Sequence, residues 1–404
     1  MSEPGRRAAR AVRGKRSGAL FALALALVSP PETAADDRTC LALAPTEPQA
    51  PSSWMGESRV WAGHIPGRTG ACLGAQLFAP PEGAFEGPRP AVVVVGGTGA
   101  PQASQWAGRY LASRGYVVLG VSPQGHTRSE VVSPEPCDPV VDPFASLTTW
   151  CRGYPPILNL DNFSDAIRSG IDHLLSPENP FPVLADAIGA AGHSQGARGA
   201  CLAQEEDPRI RAIVAWDNLT LDKSGDAGLA TGGGPAGALI AGQIPGSSFP
   251  IEPRVPAMGH ASDGKGLSNV DPGPDVKKIA YEKWRAAGLP AFELVLRDAA
   301  HEAWSADIAE EGSLDDFNHQ VILYYTHAWF DRYLLDRLPA GHPEPKDVTA
   351  HARALDRLTS AGIQGVGPLS DGTARNDILS RDWHSAMFFP EAGMDCPDLL
   401  AGCE

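Results

Sequence analysis

Short apolar runs alternate along most of this chain with segments whose apolar positions recur every three or four residues. That is the pattern of strands and helices wound around a mostly parallel sheet, an α/β architecture with helices on both faces and loop insertions. Pro90-Ala91-Val92-Val93-Val94-Val95 is a continuous β-branched run, as a central strand buried on both faces requires. A helix over Ala103 to Ser113 and a strand over Tyr116 to Val121 follow. Further on, Asn162 is placed as the cap of a helix whose Phe163, Ile167, Ile171, Leu174 and Leu175 share one face. Ile188 to Ala191, Ile210 to Trp216, Arg254 to Asp263 and Pro290 to Arg297 read as strands. Leu314 to Arg337 reads as a closing helix, with Phe317, Val321, Tyr324, Tyr325, Ala328, Trp329 and Leu335 packing on the sheet. From Leu338 onward, Pro- and Gly-rich segments bracket a helix near Val348 to Ser360.

Gly192-His193-Ser194-Gln195-Gly196 stands between the strand ending at Ala191 and the small-residue stretch Ala197 to Leu202. A G-x-S-x-G at a strand-to-helix junction holds its serine on a turn too tight for side chains at the flanking positions, and aims the following helix's positive end at the reacting group. Ser194 is a weak nucleophile and needs a base. The elbow resembles that of the α/β-hydrolases, whose order implies serine, acid, histidine along the chain, with the acid after the seventh strand and the histidine after the eighth. His301, just beyond the strand Pro290 to Arg297, is the base on that order, and Asp263 the acid that orients it. Asp217, at the end of the strand Ile210 to Trp216, is the alternative acid. Among the other histidines, His193 is expected to pack under the turn with its ring turned away from Ser194 Oγ, and His319 and His327 to pack on the closing helix. The strand Pro90 to Val95 stops at Gly96-Gly97-Thr98-Gly99, where backbone can approach a substrate closely. One oxyanion donor is assigned to the N–H of Thr98, with Gly97 or Gly99 as alternatives, and the other to the N–H of Gln195.

From about Val60 to Arg337 the chain resembles the α/β-hydrolase superfamily, and within it the dienelactone-hydrolase, cutinase-like and polyester-hydrolase branch. The resemblance rests on Gly96-Gly97-Thr98-Gly99, the segment from Gln105 to Val118, the elbow, Asp263 and His301. It implies hydrolysis of a small or polymeric carboxylic ester through an acyl-enzyme, with no cofactor and no metal. Two features depart from the minimal enzymes: the long stretch from Pro123 to Leu160 and the tail beyond Arg337. A Gly-rich insertion between Asn218 and Pro253 falls where many relatives carry a lid or acyl-pocket wall.

Composition and charge narrow the setting. A chain of 404 residues with 43% hydrophobic content suits one decorated domain. A leader over residues 1–35 is read from the basic Arg6 to Arg16, the apolar Ala19 to Val28, too short to span a bilayer, and the small residues Thr33-Ala34-Ala35. Residues 36–404 then form a single hydrolase domain, with a catalytic core over about 60–337 and an extension over 338–404, exported to the periplasm or beyond and monomeric. The net charge of −15 falls to about −19 once the leader's six basic and two acidic residues are removed. So acidic a chain disfavours nucleic acid and anionic membranes as partners. Export makes the seven cysteines interpretable as disulfides between sequence neighbours: Cys40 with Cys72, Cys137 with Cys151 and Cys396 with Cys403, leaving Cys201 as a buried thiol. A peptidase or amidase, an acyltransferase, and a non-catalytic cell-envelope module are the competing readings.

Overall fold

The computed structural model describes residues 40–46, 54–97, 103–129, 160–217, 219, 251–263, 274–297, 299, 301–304, 314–335, 354–359 and 379–403. In chain order these hold β1 (Ala44–Thr46), β2 (Arg59–Pro66), β3 (Cys72–Ala79), β4 (Arg89–Val95), α1 (Ala103–Ser113), β5 (Val117–Val121), α2 (Leu160–Leu174), β6 (Val183–His193), α3 (Gln195–Glu206), β7 (Ile210–Trp216), β8 (Ala257–Ser262), α4 (Pro274–Ala286), β9 (Ala291–Leu296), α5 (Leu314–Leu334), β10 (Ala386–Phe389) and β11 (Met394–Cys396). A single 3-10 turn, His301–Trp304, separates β9 from α5.

The strands form one mixed sheet in the order β1-β2-β3-β5-β4-β6-β7-β8-β9-β10-β11. From β5 to β9 all neighbours are parallel, while the pairs outside that block are antiparallel. This is the mostly parallel α/β arrangement expected, with helices on both faces of the sheet. Alternation along β4 explains its position at the centre. Val92 and Val94 join a core under α1 and α5, whereas Ala91, Val93 and Val95 join the core under α2, α3 and α4. A strand apolar at every position from Ala91 to Val95 is stable only where both faces are covered.

Two elements depart from the expectation. Helix α2 begins at Leu160, so Asn162 lies inside its first turn rather than capping it. Its amide instead brackets the Gln124 backbone: Nδ2 donates to Gln124 O at 3.1 Å, and Oδ1 accepts from Gln124 N–H at 3.1 Å. The tail beyond residue 338 is also more than a decoration, because β10 pairs antiparallel with β9 and carries β11 on its other side.

Cys40–Cys72 and Cys396–Cys403 are disulfide-bonded, and Cys201 is a buried thiol in α3. The expected Cys137–Cys151 pair, the leader and most of the Gly-rich insertion lie outside the described residues. No helix among the described residues is long and apolar enough to cross a membrane. The two bridges close loops of unequal size, with sequence separations of 32 and 7. In the chain-entropy form their contributions are about 4 and about 2.5 kcal/mol. The double variant Cys40→Ala/Cys72→Ala is therefore expected to lower Tm more than Cys396→Ala/Cys403→Ala. Calorimetry of the two checks the order, and equal or reversed losses would contradict it.

Candidate active site

Three parallel strands deliver the site at their carboxyl edge, where an open α/β sheet presents ligands. Strand β6 ends at His193, and Ser194 turns the chain into α3 with φ +55° and ψ −117°. Among the described residues only Thr127, Ser194 and Asp217 are non-glycine residues with positive φ, and two of these meet at the site. Backbone held in so sparsely populated a region persists where the surrounding fold imposes it. The surroundings here leave no room. A Cβ on Gly192 would lie 2.3 Å from the Gly196 carbonyl, and one on Gly196 would lie 2.2 Å from Val95 O. Both glycines of the elbow are thus required by close backbone approach.

His301, the first residue of the 3-10 turn, bridges the other two groups. Its Nε2 lies 3.0 Å from Ser194 Oγ, and its Nδ1–H donates to Asp217 Oδ2 at 2.5 Å. Asp217 is fully buried. Its second oxygen, Oδ1, accepts from Ser262 N–H at 3.0 Å and from the Ser262 hydroxyl at 3.4 Å. The expectation for Asp263 is corrected in its geometry: the carboxylate at His301 Nδ1 belongs to Asp217, the alternative, and not to Asp263. The left-handed backbone at Asp217, φ +58°, follows the end of β7 and brings its carboxylate over the end of β8. Asp263 instead prolongs the β8–β9 ladder, its N–H donating to Leu296 O at 3.0 Å. Ser194 N–H donates to Trp216 O at 3.1 Å, which ties the elbow to the strand end that carries Asp217.

The two expected oxyanion donors fare differently. Gln195 opens α3, so its backbone N–H is among those with no partner inside the helix, and its side chain is held by Arg198 Nη1 at 3.3 Å. Thr98 lies outside the described residues. Its neighbour Gly97 is buried directly beside Ser194, where a Cβ would sit 3.1 Å from Ser194 Cβ.

The turn carrying His301 is held by three further histidines, a feature the sequence reading missed. His193 Nε2–H donates to His301 O at 2.9 Å, and the two rings lie 4.6 Å apart. His319 Nε2–H donates to Ala303 O at 3.1 Å while its ring stacks on Trp106. Trp304 Nε1–H donates to His260 Nδ1 at 3.3 Å. Since an indole only donates, the proton of His260 sits on Nε2, facing Met258 Sδ at 3.1 Å. The one available signal was His193, whose place beside the serine was visible in the motif. Its ring reaches the carbonyl of His301, not Ser194 Oγ.

His193, Asp217 and His301 present ligand atoms within 4.8 Å of one another, close enough to hold a metal ion. His301 already uses both ring nitrogens on Ser194 and Asp217, so an ion would have to displace that relay.

Burial pushes the His260 imidazole down to about 3 and also lowers His126 and His173. A histidine whose folded pKa lies below its unfolded value of about 6.5 takes up its proton more readily when unfolded. Its stability contribution is complete above about pH 6.5 and is lost as pH falls toward 3, at up to about 1.4 kcal/mol per pH unit. Tm is expected to decline through that window, less steeply in His260→Gln. Parallel profiles for the two proteins would contradict this.

No protein-family model matches the chain, and no curated protein matches it. Among solved structures it is similar to a puromycin-hydrolysing peptidase of Mycobacterium tuberculosis, at 16% sequence identity and a TM-score of 0.48, over 70% of this chain. The chain spans 40% of that peptidase's length.

Proposed function

We propose that the protein is an exported serine hydrolase that cleaves carboxylic esters through an acyl-enzyme. The observation that carries this reading is the unbroken relay from Asp217 Oδ2 through His301 to Ser194 Oγ on a strained elbow. His301 Nε2 takes the hydroxyl proton as Oγ attacks the ester carbonyl, and Asp217 holds the ring and stabilises the imidazolium that forms. The Gln195 N–H, at the positive end of α3, and a second N–H from the turn after β4, assigned to Thr98, stabilise the oxyanion. As the intermediate collapses, His301 returns the proton to the leaving alcohol. Water, deprotonated by the same histidine, then attacks the acyl-enzyme, and the acid leaves with Ser194 restored. Protons and electrons balance without a cofactor or a metal.

The leader over residues 1–35 and the two disulfides support export to the periplasm or beyond. The ester is small or polymeric, and the acidic charge fits a monomeric enzyme acting without nucleic acid. A panel of short- and long-chain p-nitrophenyl esters, a soluble polyester and a p-nitroanilide tests the substrate class. Turnover of esters with little of the anilide is expected. Cleavage of the anilide alone, or of nothing, would overturn the reading.

A further inference from the structure

We infer that His193 is a positioning residue that fastens the catalytic base to the nucleophile elbow, an inference that rests on the triad reading above. His193 is the last residue of β6, so its backbone belongs to the same strand end that presents Ser194. Its ring is buried, 3% exposed, in the angle between the elbow and the 3-10 turn. The Nε2–H bond to His301 O therefore joins the nucleophile's strand to the base's turn through a backbone carbonyl.

The other anchors of that turn act further along it. His319 holds Ala303 and His260 holds Trp304, so the bond from His193 is the one among the three made to His301 itself. A carbonyl can only accept, which places the His193 proton on Nε2. Its Nδ1 lies beneath the strand-end glycine after β4, where a Cβ on Gly97 would come within 3.0 Å of it. One side chain thus touches the elbow, the turn of the base and the approach of the oxyanion loop. Displacing a reacting group by about 1 Å can cost 10²-fold in rate, so losing this tether is expected to be felt at the chemical step and not in substrate binding.

Two replacements separate the tether from simple packing. His193→Phe keeps a flat ring in the slot and removes the donor, whereas His193→Gln keeps an N–H within reach of the carbonyl. The expected result is a fall in kcat of about 30- to 100-fold in His193→Phe with KM changed by less than about threefold, and recovery to within about threefold of the parent in His193→Gln. The strongly downfield proton resonance of the His301–Asp217 hydrogen bond should persist in His193→Gln and shift or broaden in His193→Phe. If His193→Phe does not fold, His193→Met, which fills the slot without a donor, takes its place. Unchanged kcat and resonance in the donor-less variant would overturn the inference, as would equal losses in both variants that track Tm. Ser194→Ala in the same assay keeps the two claims apart, because turnover surviving there condemns the triad itself.

Discussion

Ser194→Ala is expected to lower ester turnover by about 10⁵-fold or more while leaving Tm within a degree or two of the parent. The size of the loss follows from the relay. Once Oγ is gone, His301 has nothing to deprotonate except water, and only the oxyanion donors and substrate binding remain to accelerate reaction. The fold is spared because the replaced hydroxyl contributes no core packing, and alanine inherits the backbone at φ +55°. Steady-state kinetics beside a thermal melt check both halves. Turnover within about tenfold of the parent would remove Ser194 from the mechanism.

Asp217→Asn is expected to slow turnover by about 10⁴-fold, with Asp263→Asn within about tenfold of the parent. Asp217 Oδ2 accepts the Nδ1 proton of His301, and an asparagine can present an N–H there instead, which favours the tautomer carrying its proton on Nε2. That tautomer cannot accept from Ser194. The hydrogen bonds from Ser262 to Oδ1 hold the carboxylate in place, so the variant should keep its fold while losing the base. The reverse ranking of the two variants would return the acid to the end of β8.

The contrast between these two aspartates marks where the sequence stops being informative. Both follow an apolar run, and both sit at a strand's carboxyl end. What distinguishes them is non-local: a positive φ at Asp217 and a Ser262 N–H supplied by the neighbouring strand 45 residues on. Local pattern carried the central elements well. The β-branched run became β4, and the helix expected over Ala103 to Ser113 and the strand over Ile210 to Trp216 have the observed bounds. The elbow glycines were legible for the same reason, since a tight turn constrains its own neighbours. The β10–β11 hairpin was not legible. Met387 and Phe389 are apolar in a short segment, and only pairing with β9 makes them a strand. His260 and His319 were hidden in the same way, coming from β8 and α5, whereas His193 at the end of β6 was visible in the motif but not its bond to the base's turn.

Formation of a covalent intermediate on Ser194 is the step on which the proposed reaction turns. The most direct measurement is rapid acid quenching of the protein with a p-nitrophenyl ester, followed by mass spectrometry of its peptides. One acyl group, transient and stoichiometric with the nitrophenol burst, is expected on the peptide containing Ser194, and none on Ser194→Ala. An acyl group on another residue, or steady product release with no acylated peptide at any time, would contradict it.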